Sequence, residues 1–416
     1  MNIFSFTEFE PDMDDQGTHE RKAPADIRVI GSGSGGVNAV NHMIRSGLGG
    51  VQFIAVNTDK QHLDDVSEAE IKLHIGNNRT GGRGAGGDPV KGQDAANEDR
   101  ELISQTLKGA DMVFLTTGMG GGTGTGSLPV IAEIAKEQGA LTVGVVTTPF
   151  LVEGSDKMNI AEKGIKKLRD VVDTLIVIPN QNLFKIIDNK TSIRQALRYA
   201  DDILYQAVKG ISDLITNTGL INTDFADVEA TMRGQGDAHL GIGIGSGENR
   251  AIDAANQALD NRLLEDVNIE GATRLLVNIA GSEEFPMVEA HDILAMIRAR
   301  VGDNAMLKFG ITIDSGLGDN VKVTVIATGF QNKGAALAQG EIPVGKPKAE
   351  PIDFINYQQW KEMNGQREKR HNDNYFGILK SRDNNDNLDI PTAVRKYNPE
   401  IEDNHMKRFA AGGKDA

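Results

Sequence analysis

Apolar residues in this chain come in short continuous runs, separated by glycine-rich or helical-period stretches. That is the pattern of a sheet buried on both faces. The first runs are Ile27-Arg-Val-Ile30 and Val51-Gln-Phe-Ile-Ala-Val56. Between them Val37, Val40, Met43 and Ile44 share one helical face, so a βαβ unit is predicted, with Gly49-Gly50 ending its helix. Met112-Val-Phe-Leu115, Leu141-Thr-Val-Gly-Val-Val146 and residues 171–178 predict further buried strands. A helix is expected over 93–108. Another is expected to start at Pro129, a first-turn proline, and to run through Val130, Ile131, Ile134 and Ala135. The longest helical period places Leu197, Ala200, Leu204, Ala207, Val208, Ile211, Leu214 and Ile215 on one face, predicting a central helix over 194–219. Strands at 239–244, 274–279, 306–313 and 321–327 then alternate with helices at 250–264 and 287–300.

The expected fold is therefore α/β: a Rossmann-like parallel-sheet domain over 26–193, a central helix, and a smaller α+β domain over 220–330. Residues 1–25 are acidic and aperiodic, 331–386 read as a flexible polar linker with a transient helix around 354–370, and 387–416 form a tail. The chain of 416 residues has no cysteine, which excludes a disulfide framework, a thiol nucleophile and a cysteine metal site. Its net charge of −15 disfavours general binding to nucleic acid or anionic lipid. From residue 331 on, 14 Lys/Arg face 13 Asp/Glu, so the negative charge lies upstream. No apolar run is long enough to span a membrane, and the N-terminus lacks the features of a signal peptide. The expectation is a cytoplasmic protein without membrane insertion.

Candidate chemistry concentrates in glycine. Residues 118–126 read GMGGGTGTG, six glycines in nine residues between a strand and a helix. Such a loop presents backbone N–H groups and a positive helix end to an anion, and the threonine hydroxyls add donors. It lacks the Gly-Lys-Ser/Thr of a Walker A loop. Gly31, Gly33 and Gly36 form a second loop, GxGxxG, the fingerprint of a dinucleotide site, with Asp59 near the place of a ribose-binding acid. Residues 76–92 form a third glycine-rich stretch, expected to be irregular, in which Arg83 either meets a phosphate or points to water. Asp224 and Asp227, three residues apart in Asn222-Thr-Asp-Phe-Ala-Asp-Val228, share one face of a helix start, where Asp224 also suits an N-cap.

The string GMGGGTGTG and the later N-x-D-x-x-D at 222–227, about 100 residues apart, are identified as the two signatures of the tubulin/FtsZ superfamily of GTPases, most similar to its bacterial cell-division members. The resemblance covers 26–330 and a short tail motif. It implies GTP or GDP bound by Ser34, Gly35, Gly36, Val37 and Asn38, by Ala85 and Gly86, and by Gly121, Gly122, Thr123 and Gly124. It places Glu153, Lys157 and Asn180 at the ribose and base region and Asp201 on the guanine edge. Several positions depart from the family pattern: Arg83 and Gly87 stand for small apolar residues, Lys157 for arginine, Leu197 for an aromatic residue and Ala393-Val394 for bulkier ones. Mg²⁺ would be held through the phosphates, with no protein metal site. Asp224 and Asp227, with Asn222, would act on the nucleotide of the next subunit, so the implied protein is a GTPase that polymerises head to tail at the division septum. Residues 388–396 would bind a membrane-tethering division protein. Two other readings stand beside it. One is an NAD-dependent oxidoreductase using Gly31–Gly36, which the second glycine loop and the absence of a catalytic constellation in 230–330 oppose. The other is a filament protein that binds GTP without hydrolysing it, which the intact 222–228 loop opposes.

Overall fold

The computed structural model describes residues 25–330, except 186, 187, 189, 190, 218, 261–268, 270 and 303. The expected N-terminal extension up to residue 24, the linker and tail from 331, and the end of the 250–264 helix lie outside the described residues. In chain order the elements are β1 (Ile27–Ser32), α1 (Gly33–Arg45), β2 (Gln52–Asn57), α2 (Lys60–Val66), β3 (Ile71–His74), α3 (Asn77–Thr80), α4 (Pro89–Glu98), α5 (Arg100–Leu107), β4 (Met112–Gly118) and α6 (Thr123–Glu137). There follow β5 (Leu141–Thr148), α7 (Ser155–Arg169), β6 (Thr174–Pro179), α8 (Ile193–Thr216), α9 (Phe225–Met232), β7 (Gly236–Gly245), α10 (Arg250–Leu259), β8 (Arg274–Gly281), α11 (Met287–Val301), β9 (Met306–Ile313) and β10 (Val321–Thr328).

One ten-stranded sheet runs in the order β3-β2-β1-β4-β5-β6-β7-β10-β8-β9. From β3 to β6 all pairs are parallel. β7 joins β6 in parallel through Thr174–Ile176 and pairs antiparallel with β10, so the sheet continues from one half of the fold into the other. β8 pairs antiparallel with β10 and parallel with β9, which forms the far edge.

The continuous apolar runs are explained by burial on both faces. Along β4, Met112 and Phe114 enter one core with Val37, Val40 and Met43 of α1 and with α8; Val113 and Leu115 enter the other with residues of α4 to α7. Each such fully buried aliphatic side chain is worth roughly 1.5–3 kcal/mol over exposure. A third core packs α10 and α11 on β8 to β10. Helix α8 buries Ala200, Leu204, Ala207, Val208, Ile211 and Leu214, and its core includes both Phe114 of β4 and Leu276 of β8. Its far half also makes a buried polar tie. Lys209 reaches Asp213 at 2.6 Å and Asp314 at 3.7 Å, and Lys322 of β10 donates to Gln206.

Several sequence expectations are corrected. Helix α6 starts at Thr123, inside the glycine loop, so Pro129 stands within the helix and not in its first turn. Residues 76–92 are not wholly irregular: α3 forms there, and α4 begins at Pro89 behind the Asp88 N-cap. The expected 93–108 helix is two, broken at Asp99, whose carboxylate accepts from the Gly76 N–H at 2.6 Å. β6 starts at Thr174, since Val171 belongs to a turn, and α8 stops at Thr216 instead of near Gly219. Leu197 does not join the buried stripe; it is 49% exposed on the first turns of α8, beside exposed Ile193. α2 and β3 went unforeseen, because α2 buries only Leu63 and β3 is four residues of alternating pattern.

Candidate functional site

β1 lies between β2 and β4, and the chain winds outward in both directions from that pair. A crevice therefore opens beyond the carboxyl ends of β1 and β4, where open α/β sheets bind ligands. A cavity of about 340 Å³ lies there, lined by Gly33, Ser34, Gly35, Asn57, Asp59, Arg83 to Gly87, Thr117, Gly118 and Gly121 to Gly124. Its size suits a small ligand.

Two helices begin at this cavity, α1 from the first glycine loop and α6 from the second. Neither has a side chain capping its N-terminus, and neither carries an acid in its first turn. The other described helices of eight or more residues have one or the other: caps in α4, α8 and α9, and first-turn acids in α5, α7, α10 and α11. Ser32, the α1 N-cap, turns its hydroxyl to Ser127 at 2.6 Å instead. The free N–H groups of both helices thus face one cavity with nothing negative beside them in their own first turns, the arrangement that receives phosphate.

The two loops touch. Gly33 has φ +68°, and a Cβ there would stand 2.9 Å from the Gly124 nitrogen. At Gly124 a Cβ would come 2.0 Å from Thr117 Oγ1 and 2.8 Å from the Ser32 carbonyl oxygen, two atoms already joined by a 2.7 Å hydrogen bond. Gly124→Ala is therefore expected to destabilise the fold by roughly 1–3 kcal/mol through overpacking. Gly121→Ala, with nothing within 4 Å of its Cβ, is the neutral control. Urea titration of both variants checks this; equal midpoints would contradict it.

The remaining candidates separate by place. Ser34, Gly35, Ala85, Gly86, Gly121, Gly122, Thr123 and Gly124 line the cavity. Gly36 and Val37 are buried beneath it, so the Val37 side chain serves the core and does not reach a ligand. The threonine hydroxyls are less available than the sequence suggests. Thr123 bonds Thr58 at 2.6 Å, and Thr125 accepts from the Gly120 N–H at 2.9 Å. Asn38 lies exposed on α1, one turn before His42, whose Nε2 meets Asp202 at 3.4 Å. Burial pushes the neighbouring Asp201 carboxyl up to about 6, with His42 pulling the other way. Asn38 and Asp201 thereby flank the contact between α1 and α8.

Glu153 accepts from the Phe150 N–H at 2.9 Å and pairs with Lys157 at 3.1 Å; both are exposed. The Lys157 backbone packs on the signature loop, its carbonyl oxygen 2.8 Å from where a Gly120 Cβ would be. Asn180 follows β6, and its buried Oδ1 has no hydrogen-bond partner among the described residues. Asn57 and Thr117 were not singled out in the sequence. Arg83 lines the cavity with an exposed side chain, its backbone bridged to Asp59. The Asp59 carboxylate caps α2 through the His62 N–H at 3.0 Å, so it does not stand free as a ribose acid.

Asp224 and Asp227 are elsewhere. Asp224 caps α9, accepting from the Asp227 N–H at 2.8 Å, and Asp227 meets Lys308 of β9 at 2.7 Å. Asn222 accepts from the Gly219 N–H at 2.6 Å and shapes the turn before them. This segment lies at the amino ends of the parallel strands. Thr174, at the start of β6, donates to the Met232 carbonyl at 2.5 Å, and Arg233 donates to the Gly139 carbonyl, just before β5, at 3.1 Å. The cavity and the acidic pair therefore lie at opposite ends of the parallel strands.

Comparison with known proteins divides the chain between β6 and β7, with the acidic pair between the two matched ranges. Residues 26–188 match the Tubulin/FtsZ family, GTPase domain, and residues 236–331 match the FtsZ family, C-terminal domain. An empty FtsZ dimer from M. jannaschii is 45% identical, with a TM-score of 0.71 over 74% of this chain and 89% of that one. GDP-bound monomeric CetZ1 from Haloferax volcanii shares the fold at 22% identity and TM-score 0.64, over 74% of this chain and 95% of that one. The GTPγS-bound CetZ2 protofilament from the same organism does so at 21% and 0.60, over 75% and 96%.

Proposed function

The chain belongs to the tubulin/FtsZ family of GTPases, and from that premise we propose that it binds GTP above β1 and β4 and hydrolyses it between successive copies of itself, stacked head to tail. One observation carries the reading: the 24-residue helix α8 separates the two halves of the site. From Asp201 to Thr216 the axis alone covers about 22 Å at 1.5 Å per residue. A subunit cannot bring Asp224 and Asp227 to its own cavity, but the end that bears them can meet the cavity end of a neighbour. The dimeric state of the M. jannaschii relative supports self-association.

In this reading the first turns of α1 and α6 hold phosphates, Ala85 and Gly86 close on the terminal one, and Asn180, Glu153 and Lys157 hold the ribose region. The Asp201 carboxylate accepts from guanine N1–H and N2–H, while Asn38 supports the base from α1. Asp224 and Asp227 of the next subunit orient the attacking water, with Asn222 holding their loop. Phosphoryl transfer asks little more of a protein than positioning and charge stabilisation. Mg²⁺ carried by the phosphates would supply charge neutralisation; among the described residues no group of three or more His, Asp or Glu is placed to hold a metal. Filaments of this kind would build a division ring at the septum, tethered through residues 388–396, and loss of phosphate would favour disassembly.

GTP turnover measured against protein concentration tests the proposal. The rate per molecule should be near zero when dilute and rise steeply past a threshold. A rate per molecule independent of concentration would mean a self-contained site and end the proposal.

A further inference from the structure

Beside the acidic pair stands a cation from a distant strand, Lys308 of β9. Lys308 Nζ is 2.7 Å from Asp227 Oδ1, and the two side chains are comparably half-exposed. Its strand is also the clamp of the acidic loop. Leu220 N–H donates to the Ile311 carbonyl at 2.9 Å, and Ile311 N–H donates back to the Ile221 carbonyl at 2.9 Å. β9 is held in turn by β8, with Lys308 in register with Leu276. The lysine and the loop are thus parts of one rigid corner. The hydrogen bond and charge of Asp227, with Asp224 adding to them, hold the ammonium above its ordinary lysine range, so it stays charged throughout physiological pH.

From this geometry we infer that Lys308 is a positioning residue for hydrolysis: it fixes the Asp227 carboxylate and enters the neighbouring subunit's site with it, as a positive charge facing the phosphates. The inference rests on the inter-subunit reading above. Any docking that brings Asp227 to the nucleotide brings an ammonium 2.7 Å away from it. Two carboxylates alone would meet the polyphosphate with charge −2; with Lys308 the group carries −1. One of the three ammonium donors is used on Asp227, which leaves two for a phosphate oxygen or the attacking water.

The test uses the full chain. GTP turnover is measured against protein concentration for the unmodified protein, Lys308→Met, Lys308→Gln and Lys308→Arg, with thermal unfolding as a check on folding. The Met and Gln variants should unfold at the unmodified temperature and keep the threshold concentration within about twofold. Their plateau rate per subunit should fall roughly tenfold or more, the scale of one hydrogen bond to a charged group. Lys308→Arg should restore most of it. A raised threshold with an unchanged plateau would make Lys308 an assembly contact and overturn the inference. So would plateaus equal to the unmodified one, or an arginine variant as slow as the methionine variant. If the unmodified protein itself shows no threshold, the inter-subunit reading fails first and the inference with it.

Discussion

Replacing Asp224 by asparagine is expected to abolish GTP turnover while leaving GTP binding and folding intact. The capping role of this residue is separable from its proposed role in hydrolysis. As the N-cap of α9 it accepts from the Asp227 N–H at 2.8 Å, and an amide oxygen does this as well as a carboxylate. Asparagine should therefore unfold with the unmodified protein, whereas Asp224→Ala should also lose about 1 kcal/mol of capping. What asparagine cannot supply is the negative charge that orients and polarises a water. Loss of a group acting on a proton in flight costs roughly 10²- to 10⁴-fold. The cavity lies at the other end of the parallel strands, so GTP affinity should stay within a factor of about two. Light scattering should show the variant assembling on GTP and failing to disassemble. Normal turnover in Asp224→Asn would remove Asp224 from the chemistry and leave it a helix cap.

That separation also shows what was legible in the sequence. Strands such as Met112–Gly118 and Leu141–Thr148 were plain because a strand buried on both faces is filled by apolar residues, glycine and threonine and carries no charge. The two glycine loops were plain because close backbone approach, as between Gly33 and Gly124, tolerates no other residue. Pro129 misled for a physical reason. Proline favours a first helical turn, but here the turn before it is built from the glycine loop itself, and only the Thr125 carbonyl loses its partner. Leu197 continued the apolar period yet stands exposed, since periodicity says nothing about where a neighbouring layer ends. The least legible features were tertiary ones. Asp59 is bridged to Arg83, and Asp227 is joined to Lys308, by folding alone. No local pattern announces such pairs.

Asp201→Asn should make the protein more stable and a worse guanine binder, and the two effects should part with pH. In the free protein, burial raises the Asp201 carboxyl from 3.8 to about 6. The folded state then holds its proton more tightly than the unfolded chain, so ionisation above about pH 6 costs folding free energy. That cost fades as pH falls from 6 towards 4. The full shift corresponds to about 3 kcal/mol at neutral pH, and about 2 kcal/mol is expected after solvent screening. Asparagine has nothing to ionise, so the variant should be more stable by that amount at pH 7 and by nothing near pH 4. His42 of α1 opposes the shift and Asp202 shares its side of α8, so both must be kept unchanged in the comparison. Guanine binding needs the same ionised form, because only a carboxylate accepts from both N1–H and N2–H. The apparent affinity of the unmodified protein should therefore drop roughly tenfold between pH 7 and pH 5, as the competent fraction falls. Asp201→Asn should bind GTP roughly 100-fold more weakly at pH 7, through an unmatched donor, and lose this pH dependence. Calorimetric GTP titration and thermal unfolding at pH 5, 6, 7 and 8 read both effects in one series. A variant that binds GTP normally, or that is less stable at pH 7, would refute the assignment of Asp201 to the base. Stability gained together with affinity lost would mean that this carboxylate is kept against the preference of the fold, for the ligand.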